Sequence, residues 1–189
     1  MNLYRLWIEG CLHPTRAFEE LKTRPAPQWG FWVVVNFNGL IAVTILIRYL
    51  IGDTPLMASW LTFLPDDKYL LAEIFFLPPL RVMLWLAGAA VIHTCLRLTH
   101  QRTNFDQMLN IGGLGYLVVM PFILITDWVF IAFGRYGIAQ YVHSFAPLWG
   151  LLLNCFALRS FFGTPVRLTI LWTLVSTLLT LPFLAILAR

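Results

Sequence analysis

Charge is scarce in this chain. Asp, Glu, Lys and Arg make up 12% of its 189 residues, and the net charge is only +4. So few and so dispersed charges do not build a nucleic-acid-binding face. Cysteine is scarcer still: Cys11, Cys95 and Cys155 are the only three. An odd count without an evident pairing pattern points to reduced thiols rather than a disulfide framework. Also missing are a P-loop, a dinucleotide fingerprint and a His-Glu-x-x-His sequence. Ser59, Ser144, Ser160 and Ser176 have no nucleophile-elbow context. No low-complexity tract or internal repeat is present. The sequence therefore predicts no catalytic residue and no cofactor, identifies no small-molecule substrate, and reads as a chain that is not an enzyme.

What is abundant is apolar surface. Hydrophobic residues account for 59% of the chain and mean hydropathy is +0.76, well outside soluble globular values. Five long apolar runs carry it: Trp29–Ile51, Leu70–Leu98, Leu109–Phe133, Ala139–Phe162 and Val166–Ala188. Each is near the ~20 residues that a helix needs to cross ~30 Å of hydrocarbon. The predicted fold class is all-α, a polytopic membrane bundle of about five transmembrane helices over residues 29–189. No room is left for a second, soluble domain.

The placement of positive charge predicts orientation. The N-terminal segment holds Arg5, Arg16, Lys22 and Arg24; Arg97 and Arg102 bound the second connection, and Arg159 and Arg167 the fourth. The alternate connections carry Lys68, with Arg48 at the membrane edge, then Arg135, and the chain closes on Arg189. The positive-inside rule then puts the N-terminus inside and the C-terminus outside, with Asp53, Asp66 and Asp67 outside. No cleavable signal is expected before the first run, because Glu9, His13-Pro14 and the charged stretch from Phe18 to Arg24 interrupt any apolar core.

Residues 1–28 read as an amphipathic lead-in. Leu3, Leu6, Trp7 and Cys11 fall at helical spacing, and Ala17, Phe18 and Leu21 form an apolar edge opposite Glu19, Glu20 and Lys22. Pro14 suits a first helical turn, and Pro25 and Pro27 end the segment. The expectation is a helix on lipid headgroups anchored by Trp7 and Phe18; the alternative is docking of a soluble partner. Trp29, Tyr49, Trp60, Tyr69, Tyr136 and Tyr141, near the run ends, fit an interfacial aromatic belt.

The stretch His13-Pro14-Thr15-Arg16-Ala17-Phe18-Glu19-Glu20-Leu21, followed by Arg24-Pro25, resembles the opening of prokaryotic Yip1-domain proteins. Gly115-Tyr116-Leu117-Val118-Val119-Met120-Pro121 is similar to that family's Gly/Ala-Tyr…Pro element. The resemblance implies a five-span integral membrane protein without known catalytic residues, expected here in a bacterial or archaeal cytoplasmic (inner) membrane. The Asp-Leu-Tyr-Gly-Pro stretch of eukaryotic relatives is lacking, so their association with small prenylated GTPases is not carried over.

Within the runs, Gly112, Gly113 and Gly115 strip side chains from part of the third span and predict close helix packing. Tyr116 is part of the same family-like element. Pro121 removes the bond to the Leu117 carbonyl and favours a kink. In the fifth run Thr169, Thr173, Ser176, Thr177 and Thr180 share one helical face; packing is the favoured reading and a permeation stripe the sharper one. Asn36, Asn38 and Asn154 are read as interhelical hydrogen-bonding groups.

Ionisable residues in hydrocarbon are costly and normally paired or wet. Measured from the run midpoints at 1.5 Å per residue, Arg81 lies ~5 Å, Asp127 ~9 Å and His143 ~10 Å outward of centre. Arg48 and Glu73 approach the outer interface and can snorkel. Pro78-Pro79 frees the carbonyls of Ile74 and Phe75, and Pro147 that of His143. The favoured expectation is an internal salt bridge from Arg81 to Asp127. The alternative is an outward-opening polar pocket lined by Arg81, Asp127 and His143, as in transporters with broken helices. Cys11, His13, His93, Cys95 and His100 offer zinc-type ligands on one side, but their spacing is no metal signature, and no metal site is predicted.

Two functions remain open at this level. The preferred one is a membrane scaffold whose partners are the lipid bilayer, other integral membrane proteins or a second copy of itself. The other is a small transporter or channel using the outer polar layer.

Overall fold

Polar residues and turns set where the helices begin and end. In the computed structural model, residues 2–23, 28–53 and 64–187 are described. Arg24, Pro25, Pro27, Ser59, Trp60, Ala188 and Arg189 lie outside the described residues, as do the side chains of Asp66, Asp67, Ser144 and Pro147. Helix α1 spans Leu3–Leu12, and Asn2 caps it by accepting from the backbone of Tyr4 and Arg5 at 3.1 and 3.3 Å. Helix α2 is Pro14–Thr23, with proline in its first turn, where no hydrogen bond is lost.

The long helices follow: α3 Trp29–Leu50, α4 Asp66–Leu98, α5 Phe105–Ala132, α6 Ala139–Phe162 and α7 Val166–Leu187. One 3-10 turn, Tyr136–Ile138, joins α5 to α6. Asn104 caps α5, accepting from Asp106 N at 3.0 Å, and so starts that helix four residues before the apolar run. Gly163, in the left-handed conformation at φ +63°, ends α6 where a side chain would be strained. Pro78, Pro79 and Pro121 lie inside continuous helices, which corrects the expectation of proline-broken segments.

Among the described residues, four helices, α3, α4, α5 and α6, are long and apolar enough to cross a membrane. Helix α7 adds a shorter apolar stretch, Val166–Thr180. Helix α5 is the hub, touching α1, α2, α3, α4 and α6, while α7 packs on α4 and α6. Two apolar clusters fill the bundle. One holds Leu6, Phe18, Leu96, Ile111, Leu114 and Leu158, and the other Ile41, Ile45, Leu70, Leu77, Met120 and Leu124.

The lead-in belongs to the first of these clusters. Ala17, Phe18 and Leu21 are buried, with Phe18 at 0% exposure, where α2 meets α6 and α5. Trp7 stacks on Phe122 with ring centroids 5.8 Å apart. The apolar edge of α2, together with Leu6 of α1, is thus covered by the bundle, while Leu3 stays exposed, and Phe18 is not a lipid anchor. An amphipathic stripe states that a face must be covered, not by what. On the outer side Arg5 donates to Glu9 at 2.9 Å, and that hydrogen bond holds the Glu9 carboxyl below its ordinary range.

Glycine brings α3 and α5 together. A Cβ on Gly113 would collide with the Gly30 backbone, and one on Gly30 with the carbonyl of Leu109. Gly30 sits in the first turn of α3, where backbone donors lack helical partners, and its N–H is taken up by Asn110 Oδ1 at 3.0 Å. Gly112 faces the Trp85 indole nitrogen, whereas nothing comes within 4 Å of a Cβ at Gly115. Gly115 is therefore not a packing glycine. Sequence spacing places three glycines in one span, but only the rotation of α5 decides which of them meets a neighbour.

The hydroxyl face of α7 serves packing. Thr169, Thr173 and Ser176 are buried. Ser176 donates to the Gly88 carbonyl of α4 at 3.2 Å, while Thr177 and Thr180 bond back to their own helix. Asn36 and Asn38 give their amide N–H to the Trp32 and Val34 carbonyls of their own helix at 2.8 Å, while the Asn38 side chain also engages Tyr116 of α5, across helices as expected.

Candidate functional site: a buried polar cluster

Arg48, Glu73, Asp127 and His143 gather at one end of the bundle, where α3 and α5 finish and α4 and α6 begin. Arg48 stands in the last turn of α3. Its Nε donates to Asp53 Oδ2 at 2.7 Å, and its guanidinium carbon lies 3.9 Å from the centroid of the Tyr136 ring. At 2% exposure Arg48 is fully inside, so it does not snorkel to the interface. Glu73, also 2% exposed, is inside too. Two neighbours explain this for Arg48: a carboxylate satisfies the donor and an aromatic face stabilises the cation.

Asp127 pairs with His143. The carboxylate Oδ1 and the imidazole Nε2 are 2.7 Å apart, linking α5 to α6. Asp127 is 4% exposed and the His143 side chain 37%, so the pair reaches from the interior to the surface. The predicted bridge from Arg81 to Asp127 is not formed; the Arg81 Nε is buried and makes no hydrogen bond. Arg81 and Asp127 were placed in one layer by counting residues, but depth along a helix does not fix which way a side chain turns around it.

Tyr136 has polar neighbours that its place in the sequence does not reveal. Half-buried in the turn between α5 and α6, it lies within the fields of Asp127, Arg48, Glu73 and Arg81. Its ring meets the His143 imidazole at 6.4 Å, near edge-to-face. Tyr69, by contrast, is buried at 0% exposure. The available signal was the turn itself: Gly134, at φ +63°, reverses the chain immediately before Arg135-Tyr136, and such a reversal can fold a side chain back over the bundle end.

An open depression of about 430 Å³ adjoins the cluster, lined by Ile51, Asp53, Ile131, Arg135, Tyr136 and Ile138 among others. Asp53 and Tyr136 belong to both. Solvent at this end therefore meets groups that touch Arg48. Chemically, charge-assisted contacts tie α5 to α6 and α3 to the Tyr136 turn, and one imidazole is held at the rim.

No group of three His, Cys, Asp or Glu able to hold a metal ion occurs among the described residues. His93 Nδ1 is engaged by Thr103 Oγ1 at 2.8 Å. Of the packing positions, Tyr116 stands beside Asn38 and within the field of Arg81, one turn from Gly112.

A bundle of long apolar helices with buried, mutually engaged charges defines an integral membrane protein. The sequence model of the Yip1 domain matches residues 10–188, and the chain belongs to the Yip1 domain family. No curated protein and no solved structure matches it.

Proposed function

We propose that this Yip1-domain protein is a non-enzymatic membrane scaffold that binds other integral membrane proteins or a second copy of itself. The observation that carries this reading is the engagement of the buried charges with one another. Arg48 is held by Asp53 and Tyr136, and Asp127 by His143, so intramembrane polarity serves to join helices. The hydroxyl face of α7 is likewise taken up by packing and back-bonding.

In this reading α7 is a fifth span. Its 22 residues reach about 33 Å at the helical rise. The N-terminus lies inside and the C-terminus outside, by the excess of Lys and Arg before α3 and in the α4–α5 and α6–α7 connections. The membrane is the cytoplasmic one of a bacterium or archaeon, and residues 29–189 form the spanning domain. Crosslinking in native membranes followed by mass spectrometry tests the scaffold: reproducible partners or homodimers are expected, and recovery of uncrosslinked monomer alone overturns it.

The depression beside Asp53 and Tyr136 supports a second reading, a small transporter or channel. Single cysteines at positions 127 and 143 would then react with an impermeant thiol reagent from outside, and flux would appear in liposomes. Full protection of both positions in folded protein removes this reading.

A further inference from the structure

Among the buried polar atoms of the described residues that make no hydrogen bond are Asn38 Oδ1 on α3 and Arg81 Nε and Trp85 Nε1 on α4. They share one seam. Arg81 and Trp85 are four residues apart and lie on one face of α4. The Trp85 indole nitrogen rests against Gly112 of α5. Tyr116, one turn beyond Gly112, stands beside Asn38 and within the field of Arg81. Asn38 gives its amide N–H to the Val34 carbonyl at 2.8 Å, which leaves its oxygen as an acceptor. The seam thus presents a guanidinium N–H, an indole N–H, a phenol and an amide oxygen.

In hydrocarbon each unsatisfied polar group costs several kcal/mol, and a cation costs more. These groups point to a shared ligand that both accepts and donates hydrogen bonds. Two ligand classes could satisfy the donors: an inorganic anion or water. Charge decides between them. The polar cluster sets two arginines, Arg48 and Arg81, against three carboxylates, Asp53, Glu73 and Asp127, and all except Asp53 act directly on Tyr136. A further anion would add repulsion where negative charge is already in excess.

We propose that the α3–α4–α5 seam binds internal water, which bridges Arg81 to Asn38, Trp85 and Tyr116. Two to four polar partners are what a buried water requires, and the seam supplies them from three helices. Gly112 is central to this arrangement because a side chain there would displace the Trp85 indole. Arg81 is then hydrogen-bonded without a contacting carboxylate, at a seam where Tyr116 borders both apolar clusters.

X-ray radiolytic footprinting of the full chain in lipid nanodiscs tests this, because radicals formed from bound water oxidise the side chains beside it. The comparator is Trp172 of α7, whose indole nitrogen is also buried without a partner but is not part of this seam. Trp85 and Tyr116 are expected to be oxidised faster than Trp172, because ordered water has polar partners only in the seam. Equal rates at the three positions overturn the proposal, and this wild-type comparison depends on no variant. In R81M the rates at Trp85 and Tyr116 fall toward that of Trp172. An R81M protein that folds and keeps its fast labelling also overturns the role of Arg81 in holding water.

Discussion

Asp127 and His143 face each other across 2.7 Å, the carboxylate on α5 and the imidazole on α6. That contact closes the bundle end at which Arg48, Asp53, Glu73 and Tyr136 also meet. Replacing His143 with Phe leaves the Asp127 carboxylate enclosed without its partner. The variant is expected to lose about 2 kcal/mol of stability, the desolvation cost of a stranded polar group. In D127N/H143F the charge is gone, and part of the loss returns. Equilibrium unfolding in bicelles, run as a double-mutant cycle, measures the coupling; additive single effects would mean that the pair contributes nothing.

Gly113 and Gly115 make opposite predictions although they are two residues apart. G113A drives a methyl group into the Gly30 backbone and is expected to cost about 1–3 kcal/mol by overpacking. G115A meets nothing within 4 Å and gains about 0.5–1 kcal/mol of helix propensity. Thermal unfolding of the two variants side by side checks the sign of each.

Arg48 depends on both a carboxylate and a ring. Y136F keeps the aromatic face at 3.9 Å and is expected to stay close to wild type. Y136L removes that face and is expected to lose about 1 kcal/mol or more, the scale of a partly desolvated cation–π contact. Thermal stability of Y136F and Y136L separates the ring from its hydroxyl. Equal losses would assign the effect to the hydroxyl or to packing volume instead.

Phe18 tests where the lead-in lies. As a fully enclosed residue of the apolar cluster, it should cost about 3–5 kcal/mol when truncated to alanine, and the loss should appear in unfolding of the whole bundle. A lipid anchor would instead weaken membrane association of the N-terminal segment and leave the bundle's stability unchanged. Arg5, exposed on the outer side of α1, is expected to tolerate alanine, since exposed ion pairs add little.

Much of this architecture was legible in the amino-acid order. The runs Ala139–Phe162 and Trp29–Ile51 coincide with α6 and α3 to within a residue, because a long apolar run leaves the backbone no partner but its own helix. The Yip1-like elements around Pro14–Leu21 and Gly115–Pro121 fall within the matched domain. The clustering of Asp127 and His143 near one level was also visible, since rise per residue sets depth.

Sequence alone therefore determined that this protein is built of membrane-length apolar helices, roughly where each begins, and which residues share a face along any one of them. Tertiary structure alone decided the partners: His143 rather than Arg81 for Asp127, Gly30 for Gly113, Arg48 for Tyr136, and the bundle rather than lipid for Phe18. The physical reason is that helical periodicity is a local property of the backbone. The rotation and register of one helix against another are set by the packing of all of them together.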